Sequence, residues 1–278
     1  MDSVSHVVSV IPMNVLLARS VFAAALVSLC CVGILTSLWS NTSYASDNSQ
    51  KLSGESVKII ELFTSHGCSS CPAADRLLGE LLESDEDLMA LEFHVDYWNS
   101  LVHGSDGNFV DPFSKSEYSM RQREYNVSRL AGRPGVYTPQ AVINGVTAAV
   151  GSNRRHIAKA LKNRRPAALL ITLHPSAADE TVLQVGITGE QRQLEVLRGT
   201  DIMLIKYFDS AQTHITGGEN RDLILTNHHV VYEVLRLGQV SSTSEMSYNI
   251  TVPAQGEGCV VLVQEGALSP VFAAVECP

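Results

Sequence analysis

Two cysteines separated by two residues, set between an apolar run and a helical pattern, constrain this chain more than any other feature. Val57-Lys-Ile-Ile-Glu-Leu-Phe-Thr64 has the make-up of a buried strand. Cys68-Ser-Ser-Cys71 follows, then Pro72. From Pro72 to Glu83 the apolar residues fall at Ala73, Ala74, Leu77, Leu78, Leu81 and Leu82, the spacing of one helix face. Proline suits the first turn because no N–H is needed there. Two intervening residues let both sulfurs meet on that turn, where unpaired backbone N–H groups and the positive helix end favour a thiolate at Cys68. Strand, Cys-x-x-Cys, proline and helix in this order point to a dithiol redox site. A fixed structural disulfide and half of a metal site remain open as other uses of the pair.

The rest of the first half alternates strands with helices. Leu88 to Tyr97 reads as a second strand, and Asp111-Pro112 as the opening of a helix that runs to about Leu130. Gln140 to Val146 is a strand entering an Asn144-Gly145 turn, with Thr147 to Gly151 as its hairpin partner. Ser152 is placed to cap a last helix, Arg154 to Lys162. After Pro166 the pattern becomes short β-rich runs separated by Gly, Pro and Asn: Ala168–Leu173, Thr181–Thr188, Asp201–Phe208, Val230–Leu237, Tyr248–Val252, Cys259–Gln264 and Val271–Val275. The expectation is an α/β domain over 57–165, then a smaller all-β, sandwich-like domain over 166–278.

Ahead of these lies Val21 to Trp39, almost wholly apolar, with Arg19 before it and Ser43-Tyr44-Ala45 after it as a small-x-small cleavage site. Residues 1–45 therefore read as a secretory signal and 46–56 as a flexible leader. Starting at Met13 would improve the signal, because the first twelve residues contain Asp2 and no Lys or Arg. The expected location is secreted or periplasmic, with no stable membrane insertion after cleavage. Cys30 and Cys31 would leave with the signal. Four cysteines remain, in a compartment where disulfides persist. Twenty Lys and Arg against 29 Asp and Glu give a net charge of −9, which argues against nucleic-acid partners. Cys259 and Cys277 end two strands. If Val263 pairs with Ala273, the two cysteines lie opposite each other, so a cross-strand structural disulfide is expected.

Tyr137-Thr138-Pro139 stands immediately before a strand, and here the sequence resembles the thioredoxin-like superfamily. That resemblance implies a thioredoxin-like α/β domain for 57–165. It also implies a cis Thr138–Pro139 bond facing the Cys-x-x-Cys loop, with the Thr138 backbone offered to an extended substrate. Glu61-Leu-Phe-Thr-Ser-His-Gly-Cys-Ser-Ser-Cys-Pro-Ala-Ala-Asp75, Phe93-His-Val-Asp-Tyr-Trp98, Asp111-Pro-Phe-Ser114, Arg121-Gln122 and Val136-Tyr-Thr-Pro-Gln140 are similar to a family of secreted proteins of unknown function. Gly218-Glu-Asn220 and the Leu262-Val-Gln264 strand are similar to it more loosely. Residues 101–110 look longer than that family's usual link. The family implies no substrate.

The Ser-Ser pair between the cysteines brings no positive charge, and Asp75 shares the helix face of Cys71, so a Cys68 thiolate of moderate acidity is expected. His66 could stabilise that thiolate and Asp96, after His94, could move a proton. A solvated loop and a hydrogen-bonded turn are the plainer roles for these two. Tyr97 and Trp98 are candidates for a groove or for core, and Arg121 and Arg133 for receiving an acidic partner or facing solvent. Thr64 and Ser65 read as loop and cap, Glu219-Asn220-Arg221 as a polar turn. Asn227-His228-His229 is a poor metal motif because neighbours in a strand face opposite sides. The leading functional expectation is a thiol–disulfide oxidoreductase without cofactor or resident metal, acting on an exported protein or a small disulfide or dithiol. Cu(I) binding by the dithiol with His66 or His94 is the second. A non-catalytic interaction protein with a fixed Cys68–Cys71 disulfide is the third.

Overall fold

A computed structural model describes residues 51–53, 56–101, 109–127, 135–242 and 245–278. The signal segment, Arg133, most of 101–110 and the far end of the helix expected to reach Leu130 lie outside the described residues.

Strands β1 (Lys51–Leu52), β2 (Ser56–Val57) and β3 (Ile59–Thr64) lead into helix α1 (Pro72–Ser84) and strand β4 (Met89–His94). A short helix α2 (Trp98–Leu101) and helix α3 (Ser116–Val127) precede the hairpin β5 (Gln140–Ile143) and β6 (Thr147–Val150). Helix α4 (Arg154–Leu161) and strands β7 (Arg165–Pro166), β8 (Leu170–Pro175) and β9 (Val182–Thr188) follow. A short helix α5 (Gln191–Val196) then leads to the long strands β10 (Asp201–His214) and β11 (Ile224–Gln239). Strands β12 (Glu245–Thr251), β13 (Glu257–Gln264) and β14 (Ala273–Glu276) end the chain.

The β5–β6 hairpin forms where Asn-Gly predicts it. Asn144 and Gly145 take φ of 53° and 67°, the left-handed pair that such a turn demands. Helix α1 begins at Pro72 and buries Ala74, Leu77 and Leu78 against β3, β4 and β5. It approaches β11 so closely that a Cβ on Gly79 would meet His228 Nε2 at 2.7 Å, so a larger residue there would have to displace the His228 ring. Two local expectations shift. The helix after Asp111 starts at Ser116, because the Asp111 carboxylate is engaged elsewhere. The cap of α4 is Asn153, whose side chain accepts from His156 N, rather than Ser152.

An α/β thioredoxin-like domain followed by a smaller, separate all-β sandwich is not what forms. Strands from both halves build one eight-stranded mixed sheet in the order β14-β13-β10-β11-β4-β3-β5-β6. The join is a parallel contact of β11 with β4 at Val230 and Glu92. The remaining strands β1-β8-β9-β12 make a four-stranded sheet, and β2 pairs with β7. Burial explains why the halves do not separate. Along β13, Val260 and Leu262 enter a core shared with Phe63, Phe93, Tyr118 and Tyr125 from the first half. Val261 and Val263, on the other face, enter a core with Ile171, Leu183, Val185 and Ile187 of the four-stranded sheet. A strand buried on both faces reads as a continuous apolar run, which is what Cys259–Gln264 contains.

Strands β13 and β14 pair with Val263 opposite Ala273, and Cys259 is disulfide-bonded to Cys277 with 5.2 Å between the Cα atoms. The bridge closes an 18-residue span and ties the edge strand β14 to its neighbour. Replacing both cysteines with alanine should lower the unfolding free energy by about 2–4 kcal/mol in urea titration. Unchanged stability would mean that strand pairing alone holds β14.

Candidate functional site

Strand β3 delivers the chain to the C-terminal end of the parallel strands, and residues 65–71 turn there before α1 begins. Cys68 N donates to Ser65 O at 3.2 Å and Cys71 N to Cys68 O at 3.1 Å, so both cysteines sit on one tight turn. Both are free thiols and both are buried. Their protonation is pulled in opposite directions. The Cys68 thiol is lowered to about 6, first by the Cys71 thiol donating to its sulfur, with Ser70 and Thr138 adding donors against the cost of burial. Ser70 Oγ lies 3.2 Å from the Cys68 sulfur. Burial pushes Cys71 well above the ordinary thiol range, and its bond to Cys68 and the charge of Asp75 push the same way.

Asp75 is itself buried. Thr64 Oγ1 donates to its carboxylate at 2.7 Å, but burial and the charge of Glu92 raise it well above the usual carboxylate range. Asp75 interacts electrostatically with both thiols, whereas Asp96 does not carry that role. The Asp96 carboxylate accepts from Ser119 Oγ at 2.5 Å, and its N–H donates to the same hydroxyl at 3.0 Å, which ties it to α3. Thr138 Oγ1 accepts from Trp98 Nε1 at 2.7 Å, the Thr138–Pro139 bond is cis, and the Tyr137 carbonyl accepts from Gln122 Nε2 at 2.7 Å. Tyr97 donates its hydroxyl to Gln122 at 3.2 Å.

His66 is not a solvated loop residue. It is fully buried, and its backbone N–H donates to Asp111 Oδ2 at 2.8 Å. His94 Nδ1 lies 2.8 Å from the same oxygen. His66 Nε2 lies 2.9 Å from Asn227 Oδ1, and Asn227 Nδ2 donates to Glu92 Oε2 at 2.7 Å. Both histidines thus have nitrogens turned toward Asp111, Asn227 and Glu92. Burial works against a charge on His94, but Asp111 and Glu92 outweigh it and raise the imidazole to about 10. Burial and the His94 charge lower His66.

Arg121 does not receive an external acidic partner. Its Nε and one Nη donate to the two oxygens of Glu61 at 2.6 and 2.7 Å, and the same Nη donates to Gln264 Oε1 at 2.7 Å. Tyr125 adds a hydroxyl bond to Glu61 at 2.5 Å. Arg121 is an internal brace between β3, α3 and β13.

Residues 59–264 match the family described as protein of unknown function, DUF1223. The chain belongs to the DUF1223 family. Its fold is similar to that of protein AGR_C_4864 from Agrobacterium tumefaciens, known from an X-ray crystal structure. The TM-score is 0.62 at 24% sequence identity, covering 81% of this chain and 94% of that one. At that identity the likeness speaks for the fold alone. No curated protein matches the chain.

The DUF1223 span holds every residue of the site, including those that sequence reasoning assigned to plain turns. Glu219 Oε2 accepts from Ser69 N at 2.8 Å, and Asn220 Nδ2 donates to the carbonyls of His66 and Cys68 at 2.9 and 2.8 Å. The Gly218-Glu-Asn220 segment between β10 and β11 therefore grips the cysteine turn. Its inclusion among the motifs was the available signal. Asn227 stood out only within Asn227-His228-His229, read as a poor metal motif, and Glu92, in an apolar strand, carried no signal. Neither His228 nor His229 joins the cluster: His228 packs on Gly79, and His229 Nδ1 lies 2.9 Å from Ala90 O.

Proposed function

We propose that this DUF1223 chain is an exported thiol–disulfide oxidoreductase acting through Cys68 and Cys71. The observation that carries the reading is the opposed acidity of two free thiols on one turn: Cys68 is lowered to about 6 while Cys71 is held protonated. Export is supported by the apolar run at Val21–Trp39 and by the Cys259–Cys277 bridge, since such bonds persist in oxidising compartments.

The Cys68 thiolate attacks one sulfur of a partner disulfide, forming a mixed disulfide and releasing one partner thiolate. Cys71 then loses its proton, with the Asp75 carboxylate as the nearby acceptor, and its thiolate attacks the Cys68 sulfur. The second partner thiolate leaves, both leaving thiolates take up protons, and Cys68–Cys71 becomes the disulfide. Two electrons pass to the partner. A dithiol of another exported protein or a small dithiol returns the pair to the reduced form. The reverse sequence oxidises a substrate dithiol.

The test is equilibration of the chain in glutathione and dithiothreitol buffers, read by the mass shift on alkylation. A reversible two-electron couple between about −120 and −270 mV fits an exchange catalyst, and a potential below about −300 mV overturns the reading in favour of a fixed bridge. The pH profile adds a second check. A thiol with a lowered pKa is ionised above that value, so alkylation of Cys68 should rise through pH about 6 and level off well below the pH at which ordinary thiols react.

A further inference from the structure

Behind the cysteine turn lies a polar cluster for which thiol exchange has no use. His66, His94 and Asp111 are fully buried or nearly so, and one donor atom from each lies within 4.8 Å of the others. We propose that His66 Nδ1, His94 Nδ1 and the Asp111 carboxylate form a binding site for one divalent first-row transition-metal ion, with Zn2+ the best fit to the donor set.

The hydrogen bonds around the cluster define which nitrogens are ligands. The Glu92 carboxylate can only accept, so the Asn227 amide nitrogen faces it at 2.7 Å and Asn227 Oδ1 faces His66 Nε2 at 2.9 Å. His66 Nε2 must then carry the proton. That leaves a bare lone pair on His66 Nδ1, buried, without a hydrogen-bond partner and 3.5 Å from Asp111 Oδ1. A nitrogen lone pair and a carboxylate oxygen facing each other away from water repel unless a proton or a metal cation lies between them. The other histidine is arranged in the same sense. His94 Nδ1 points at Asp111 while His94 Nε2 lies 3.8 Å from Glu92 Oε2.

Each imidazole thus turns Nδ1 toward Asp111; His66 Nε2 has Asn227 Oδ1 behind it, while His94 Nε2 has no hydrogen-bond partner and faces Glu92 Oε2 across 3.8 Å. The Asn227 bond is the outer-shell contact that metal-bound histidines use to fix tautomer and ring orientation. Asp111 is held in turn by the backbone N–H groups of His66 and Phe113, at 2.8 and 3.1 Å. Phe113 packs edge-on to both imidazole rings, with centroids at 5.8 and 5.4 Å. Ligands at ordinary Zn–N and Zn–O distances in a tetrahedral site lie about 3.3 Å apart, so the 3.5 Å from His66 Nδ1 to Asp111 Oδ1 suits an ion, while His94 Nδ1, 2.8 Å from the other oxygen Oδ2, must draw back from its hydrogen bond to bind. Two imidazoles and a carboxylate are borderline donors that suit Zn2+. Binding replaces the proton on His94 Nδ1 and releases it to solvent. The ion would join three segments: the turn two residues ahead of Cys68, the end of β4, and the chain entering α3.

The decisive experiment measures metal in the folded full chain and in the Cys68→Ser/Cys71→Ser variant, by elemental analysis after gel filtration and by Co2+ titration followed by absorption. One ion per chain in both proteins is expected, with Co2+ bands that contain no thiolate charge transfer. Asn227→Ala should weaken Zn2+ binding by about 10–100-fold through loss of the outer-shell bond. Asp111→Asn keeps an acceptor for the His66 N–H but removes the ligand charge, and should weaken it further; circular dichroism checks that both variants fold. Failure of the folded wild type to hold either ion overturns the site. So does binding that disappears with the two cysteines, or a folded Asp111→Asn variant that binds as tightly as wild type. Retention of the ion by the cysteine variant is independent of whether the dithiol exchanges electrons, so the two readings stand or fall separately.

Discussion

Replacing Arg121 with alanine should destabilise the fold by about 3–5 kcal/mol, the cost of stranding a buried charge. Arg121 is the partner of a carboxylate that has no route to water. Glu61 lies in the middle of β3, 1% exposed, and takes both donors of the guanidinium fork. The guanidinium also packs over the rings of Phe93 and Tyr125, at 5.8 and 5.3 Å, so alanine removes packing as well as charge. Urea denaturation of the purified variant measures the effect. The double change Glu61→Leu/Arg121→Met separates the two contributions. Without either charge it should recover most of the lost stability, because well-packed apolar replacements of buried ion pairs are often neutral. A loss below about 1 kcal/mol for Arg121→Ala would mean that Glu61 finds another partner or water.

The second large effect concerns the thiols. Cys71→Ala should raise the Cys68 pKa from about 6 toward the ordinary thiol value of 9.0, because the Cys71 thiol is the strongest of the donors that stabilise the thiolate. Alanine is the informative substitution, since a serine hydroxyl could replace the lost donor. At pH 6.5 the rate of alkylation by iodoacetamide should fall by about 10-fold or more, following the loss of thiolate. The Ser70 and Thr138 donors remain, so the full ordinary value is not expected. An unchanged pH profile would place the origin of the acidity in those residues and the helix end, and would remove Cys71 from the activation of Cys68.

What the sequence disclosed about this chain was local. The Asn144-Gly145 turn, the helix opening at Pro72 and the register that places Cys259 opposite Cys277 each depend on residues within about twenty positions of one another, and each forms as expected. The shared sheet was not legible. Its junction is a contact of Val230 with Glu92, and apolar alternation states only that a strand has a buried face, never which strand lies beside it. Strand β13, buried on both faces, gave a run equally compatible with the centre of a separate sandwich. The site was half visible for the same reason. Cys68, Cys71 and Asp75 lie on one turn and one helix, whereas Asn220 and Asn227 reach the turn from more than 150 residues away. Asp111 misled in the other direction. Asp-Pro is a good helix opening, but its carboxylate is drawn instead to the His66 backbone and His94.

The grip of Gly218-Glu-Asn220 on the cysteine turn also orders events in time. A chain made from its N-terminus presents Ser69 150 residues before the Glu219 that will hold its backbone N–H. Until β10 and β11 arrive, β4 is an open sheet edge and the two thiols sit on a turn with nothing clasped over it. Nascent chains halted before that point would display both an edge ready to pair with strangers and a dithiol that any passing disulfide can capture. The finished protein pairs the edge and clasps the turn with a single ribbon. Chaperone demand and mispaired cysteines should therefore concentrate in the window of synthesis between residues 94 and 224.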